Sequence, residues 1–265
     1  MASPCSRCLI VLFVLLTAAV NVYGENNIFN LPPKINPLIE KIKINGFSDD
    51  EIRQIFSDNR VMLYPEVLEK RGHGINYMSK KYGLLTRASV KRGQEVLQKN
   101  RLVFESIENK YGVDKEIIVA IYRLETNLGN YRGKYLVFNG LLALAVLENR
   151  RSSWAEKELI NLLVYCKNNQ KDPLSIKGSW AGAFGLFQFI PSSVIQYAVD
   201  GDGDGEIDPD NFSDAMASIA NYLKSNGWEK NNLQKEKRAI WAYNHCDDYV
   251  KAVLAYANAC RKFNR

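Results

Sequence analysis

A mainly α-helical fold is predicted on three observations. Apolar residues recur at helical spacing over most of the chain, capping and stopping residues bracket those stretches, and strand signals are few and short. Hydrophobic residues make up 46% of the 265, enough for one good-sized folded unit with room for two lobes.

The elements follow in order. Arg7 precedes an apolar run from Leu9 to Val20, and Val22-Tyr23-Gly24 offers small residues for a cut. Residues 1–24 therefore read as a secretory signal peptide, and the run is short for a membrane span. A retained N-terminal anchor is the plainer rival. Cys5 and Cys8 precede the run rather than follow it, which argues against a lipoprotein anchor. A polar, proline-bearing stretch from Asn26 to Pro37 leads inward, so 25–35 is set as linker and 36–265 as the folded domain.

Ser48-Asp49-Asp50-Glu51 is a capping box opening a helix with Ile52, Ile55 and Phe56 on one face. Tyr64 to Gly83 is mixed and turn-rich. One long helix is expected from Ala88 to Lys110, ended by Tyr111-Gly112. The next starts at Asp114 and carries Ile117, Ile118, Ile121 and Leu124. Leu136 to Leu147 is almost wholly apolar and reads as a buried helix; Ser152 to Asn168 is amphipathic and stops before Asp172-Pro173. A small strand fits Ser175 to Lys177. Ser213 can cap a helix in which Met216, Ile219, Ala220 and Leu223 repeat, with Asn226-Gly227 stopping it, and a last helix covers Asp248 to Ala259.

With the leader removed, Cys166, Cys246 and Cys260 remain. Cys246 and Cys260 flank the last helix, whose ends lie about 18 Å apart at about 1.5 Å per residue. A disulfide needs Cα atoms within about 7 Å. Any bridge must then involve Cys166, or there is none. The formal charge of +6 is spread along the chain, without a basic stripe or groove-binding motif, which suits an anionic polymer such as a bacterial wall better than nucleic acid.

Two regions carry chemistry. Glu125, in YRLETNLG, shares a helix face with Ile118 and Ile121. A carboxyl at the C-terminal end of a buried face is costly to ionise, and the helix dipole acts in the same direction. A carboxylic acid neutral at pH 7 is what glycosidic cleavage requires. The plainer alternative has Glu125 capping the helix or pairing with Arg123 or Arg132. A second carboxylate was sought among Glu148, Glu158 and Asp172, and none has a comparable apolar setting in the sequence. A one-acid mechanism follows, in which the group gives a proton and later takes one back.

The second region runs from Gly178 to Asp214, where glycines and small residues let a ligand approach the backbone, as in a cleft floor. It ends in an acidic loop with Asp200, Asp202 and Asp204 at positions 1, 3 and 5, Gly205 at 6, Glu206 at 7 and Ile207 at 8. That is the first half of an EF-hand loop. Position 12 departs from it, with Asn211 where Glu is expected, and Asp214 is the residue that can close the site. A structural Ca2+ of weak affinity, roughly 10⁻⁴–10⁻³ M, is the expectation, and an empty acidic turn is the plainer reading.

GVDKEIIVAIYRLETNLG, DPLSIKGSWAGAFGLFQFIPSS, YAVDGDGDGEID, ANYLKSNGW and AYNHCDDYVKAVL occur here in the order found in the lytic murein transglycosylase B family, glycoside hydrolase family 103. The chain resembles that family from about Ile35 to Ala259. The resemblance implies a lysozyme-like α+β catalytic core in a mostly helical protein. It also implies cleavage of the β-1,4 bond between N-acetylmuramic acid and N-acetylglucosamine, leaving 1,6-anhydromuramoyl ends. It places the single catalytic glutamate on Glu125, and Ser179, Gln188, Tyr222, Tyr243 and Asn244 around the cleft, with Arg150 and Arg151 near peptide or sugar. Cleavage of the leader predicts an exported protein, periplasmic or secreted, without a stable anchor, and a monomer acting on glycan strands without organic cofactor is the expectation. The chain departs from the family at Leu128 (usually Trp), Phe187 (usually Gly) and Asn149 (usually Pro), which puts Gln188 most in question. Two rivals stand beside this reading: a hydrolytic muramidase on the same fold, and a non-catalytic, calcium-dependent wall-binding module.

Overall fold

The computed structural model describes residues 31–70 and 75–263. The expected leader, with Cys5 and Cys8, lies outside the described residues. The chain forms two compact units that meet in sequence between Val61 and Met62.

The first unit holds α1 (Ile35–Ile44) and α2 (Asp49–Phe56). The polar entry therefore ends earlier than Pro37. Proline is tolerated in a first helical turn, where its missing N–H has no partner to lose, and Ile35, Leu38 and Ile42 are buried. The capping box forms as read: Glu51 N donates to Ser48 Oγ, and Ser48 N to Glu51 Oε2 at 2.7 Å.

In the second unit the expected long helix is two, α3 (Arg87–Lys99) and α4 (Arg101–Tyr111). Asn100 breaks it. Its side-chain amide and its backbone N–H both donate to the Val96 carbonyl, an alternative to continued helix that Asn offers readily. Helix α5 (Lys115–Thr126) begins after Asp114 and is buried on nearly every side. It packs against α3, α4, α9 (Phe212–Ser225) and α11 (Asp247–Phe263), as a helix apolar all round must. Helix α6 (Val137–Val146), buried at all ten positions, packs on α7 (Ser152–Asn168).

Four elements depart from expectation in the rest of the unit. The strand near Ser175 is β2 (Lys177–Gly178), antiparallel to β1 (Tyr135–Leu136) with Tyr135 opposite Gly178. Helix α8 (Pro191–Tyr197), not anticipated, starts with proline at its first position. The 4%-exposed Glu158 accepts from Ser192 N and Ser192 Oγ there, which consumes this acid structurally. Asn211, not Ser213, caps α9, accepting from the N–H groups of Ser213 and Asp214. Asn caps rather than Ser because Asn211 stands just before the first helical residue, with extended backbone, whereas Ser213 already lies inside the helix. Helix α10 (Leu233–Tyr243), also unanticipated, packs on α9 and α11. The described cysteines form no disulfide: Cys166 and Cys260 are buried and Cys246 is half-buried, all free.

The β1–β2 pair leaves no room at Gly133. Its φ is +92°, and a Cβ there would lie 2.1 Å from the Gly178 carbonyl. Gly133→Ala should lower stability by roughly 1–3 kcal/mol, read as a lower denaturant midpoint with unchanged slope. An unchanged midpoint would show that the strand pair tolerates displacement.

Candidate active site

Glu125 stands in the last turn of α5, whose exit is unusual. Asn127, Leu128 and Gly129 follow with φ of 53°, 60° and 83°, three successive left-handed residues. Leucine rarely adopts that backbone, so surrounding contacts must hold it. The fully buried Thr126 supplies them: its hydroxyl lies within hydrogen-bond reach of Tyr122 O and Leu186 O, and accepts from Gly129 N at 3.0 Å.

Glu125 is half-buried, and protein atoms crowd its carboxyl closely enough to raise its pKa from 4.5 to about 7. Desolvation is the leading cause. Opposing it, the Tyr249 hydroxyl donates to Glu125 Oε1 at 2.6 Å. Among the described residues no charged neighbour contributes. Neither arginine considered from the sequence pairs with it. Arg123 Nε donates to Ser89 Oγ and its guanidinium lies over the Tyr82 ring, while Arg132 pairs with Asp210 at 2.9 Å.

The other neighbours are phenols. Tyr77 packs edge-on against both Tyr82 and Tyr249, and Tyr243 lies parallel to Tyr249 at 6.4 Å. Burial raises the hydroxyl pKa of Tyr77, Tyr243 and Tyr249, and the Glu125 charge pushes the same way. These groups stay neutral and donate or accept hydrogen bonds without adding charge. Tyr77 also hydrogen-bonds the Asn244 side chain. Tyr77 and Tyr249 escaped the sequence reading. The available signal for Tyr249 was its place in CDDYVKAVL, five residues after Asn244, which returns it to the inner face of the last helix.

The remaining expected residues divide. Tyr243 donates to Phe187 O at 2.6 Å, and Tyr222 packs edge-on against Tyr243 at 4.9 Å while donating to Ala242 O. Tyr243, Asn244 and Tyr222 therefore belong to one cluster with the acid. Phe187 stacks on Phe189 in the core rather than projecting into the cleft. Gln188 follows with φ +49°, and its amide donates to Gly185 O and Arg132 O. Ser179 Oγ accepts from Ala181 N and Ala183 N, shaping its own turn. Arg151 covers the Trp180 ring at 4.8 Å, while Arg150 is exposed. Glu148 and Asp172 are exposed as well. No contact joins Arg150, Arg151 or these acids to Glu125 among the described residues.

In the acidic loop, carboxylate oxygens of Asp200, Asp202 and Asp214 lie within 4.8 Å of one another. Asp204 and Glu206 stand outside that cluster; Asp204 instead accepts from Glu206 N. Asp214, 1% exposed, accepts from Gly201 N and Asp208 N. Burial raises its pKa, and Asp202 and Asp200 raise it further. Three converging acids, one of them buried, suit a hard cation with oxygen ligands. A cavity of about 530 Å³ opens beside the exit of this loop, between Arg132–Gly133, the end of α7, the Ser175–Lys177 segment and Asp208–Asp210.

Three comparisons bear on this geometry. Residues 31–237 match the family model described as transglycosylase SLT domain. Membrane-bound lytic murein transglycosylase B of Escherichia coli is 46% identical over 120 residues, 45% of this chain and 33% of that protein. The structure is similar to that of the Escherichia coli lytic transglycosylase Slt35 in complex with calcium (TM-score 0.79, 26% identity, 87% of this chain and 93% of that one). It is also similar to SltB3 from Pseudomonas aeruginosa in complex with NAG-anhNAM-pentapeptide (TM-score 0.75, 25% identity, 86% and 78%).

Glu125 also makes stability depend on pH. Below about 4.5 the carboxyl is protonated both folded and unfolded. Between 4.5 and about 7 only the folded chain keeps the proton, so stability falls as pH rises through that window and then levels off. At about 1.4 kcal/mol per pH unit the loss is at most roughly 3 kcal/mol, less whatever solvent recovers at this half-buried side chain. Glu125→Gln, with no proton to lose, should gain in melting temperature over the wild type progressively across the window. A difference independent of pH would contradict a raised pKa.

Proposed function

The chain belongs to the transglycosylase SLT domain family, and from that premise we propose that it is a lytic transglycosylase of peptidoglycan. The substrate is the bond between N-acetylmuramic acid and N-acetylglucosamine, and the products carry 1,6-anhydromuramoyl ends. One observation carries the mechanism: the Glu125 carboxyl, held near pKa 7 by burial, lies among neutral phenols, and among the described residues no other acid shifts its pKa. Protonated Glu125 gives its proton to the glycosidic oxygen as the C1–O bond breaks. The sugar's own N-acetyl group stabilises the electron-poor C1. The carboxylate then takes the C6 hydroxyl proton as that oxygen bonds to C1, which restores the acid. Tyr249 orients the carboxyl through Oε1, leaving the other oxygen for the proton. A hydrolytic muramidase would need a base for water, and the acids that might serve are exposed or, like Glu158, engaged elsewhere.

The acidic loop is read as a structural calcium site formed by Asp200, Asp202 and Asp214. The convergence of these acids and the calcium complex of Slt35 support it. Asp204 and Glu206 serve through backbone geometry or water rather than as members of the tight cluster. Calcium would neutralise the loop where Asp208 and Pro209 lead back toward the Gln188 turn. Export and action outside the cytoplasm accord with the wall substrate; no described helix is long and apolar enough to cross a membrane.

Three measurements test these points. Sacculi digested with the protein should yield sugar termini one water lighter than hydrolysis gives, and Glu125→Gln should lower turnover by several orders of magnitude; reducing termini would identify a hydrolase instead. Tyr249→Phe removes the bond that holds the Glu125 pKa down, so the alkaline limb of the pH–rate profile should move to higher pH, along with any fall in rate. Calcium should raise the melting temperature of the wild type and not that of Asp214→Asn; equal shifts in both would remove the site.

A further inference from the structure

Helices α10 and α11 turn Tyr243 and Tyr249 toward the acid. Their outer faces form a second feature. In α10, Lys237 and Trp241 lie one turn apart on the side away from the buried Ala239 and Ile240. Trp241 is 42% exposed, a large apolar surface for a free side chain to leave in water. Its ring meets His245 edge-on, with centroids 4.3 Å apart, which leaves the indole face open to the groove side. Asp247, Val250 and Lys251 of α11 complete a groove of about 390 Å³ beside it. Lys237 and Arg238 line the same groove and make no ion pair among the described residues, whereas Lys251 pairs with Asp248.

We infer that this groove is a second glycan-binding site, one that takes a pyranose ring of an anionic peptidoglycan strand on the Trp241 face. The axial C–H face of a pyranose is apolar and slightly positive, and it complements the negative face of an indole. Lys237 and Arg238 would meet the carboxylates of the peptide stems, adding attraction that salt screens. The groove opens on the side of the helix pair opposite Tyr249. It therefore holds a strand without entering the bond-cleaving cluster. The identity of the polymer rests on the function proposed above; the aromatic and cationic geometry does not.

The test uses the full chain carrying Glu125→Gln, so that binding is read without digestion. Co-sedimentation with purified sacculi should weaken about tenfold on adding Trp241→Ala and recover with Trp241→Phe. The double change Lys237→Ala and Arg238→Ala should weaken binding at low salt and flatten its salt dependence. With Glu125 intact, Trp241→Ala should leave turnover of a short soluble glycan fragment unchanged, with the melting temperature as a folding control. Sacculus binding unaffected by both sets of changes would overturn the site, as would an equal loss of turnover on the short fragment. If the wild type yields no anhydromuramoyl ends while Trp241→Ala still weakens binding, the enzymatic reading fails and the groove stands.

Discussion

The constraint on which the rest depends is that α5 must be buried while carrying an acid. A helix enclosed on nearly all sides stabilises the second unit, yet its last turn places Glu125 where water solvates it poorly. An arginine beside it would have relieved that cost and stopped the carboxyl from holding a proton at neutral pH. Instead, both nearby arginines are engaged elsewhere, and phenols occupy the space around the acid. The proton affinity of the group is thus a by-product of core packing.

The same helix end organises the segments around it. Thr126 links α5 to Leu186; Leu186 N donates to Pro209 O; and a side chain on Gly185 would strike Pro209. From the other side, Tyr243 reaches Phe187 O. The Phe187–Gln188 turn is therefore gripped by α5, by the exit of the acidic loop and by the end of α10. Such cross-bracing can hold a left-handed glutamine and leucine that isolated peptides would avoid.

Much of this was legible in the residues, and the misses have physical causes. Helices α5, α6 and α7 have long, strongly patterned apolar content, so burial and period agree, and the place of Glu125 followed. The break at Asn100 turns on one side-chain amide competing for one carbonyl, which periodicity does not register. Helix α8 depends on a carboxylate from α7, and α10 on packing against two partners, so neither is written in its own segment. Gln188 was named with the cleft, but its amide faces its own turn, because the backbone conformation there is set by contacts distant in sequence. Tyr249 was overlooked since a tyrosine on the inner face of a helix reads as core until its hydroxyl is found bonded to the acid.

The unpaired thiols have a bearing on how the chain is made. Cys166 and Cys260 are sealed in the core, and burial pushes both up to about 12, so neither forms thiolate at physiological pH. Their packing, not a covalent link, holds the surrounding helices. The described part of the chain reaches its native form without an oxidising partner. Among the described thiols, only the half-buried Cys246 is open to redox exchange once the chain is folded.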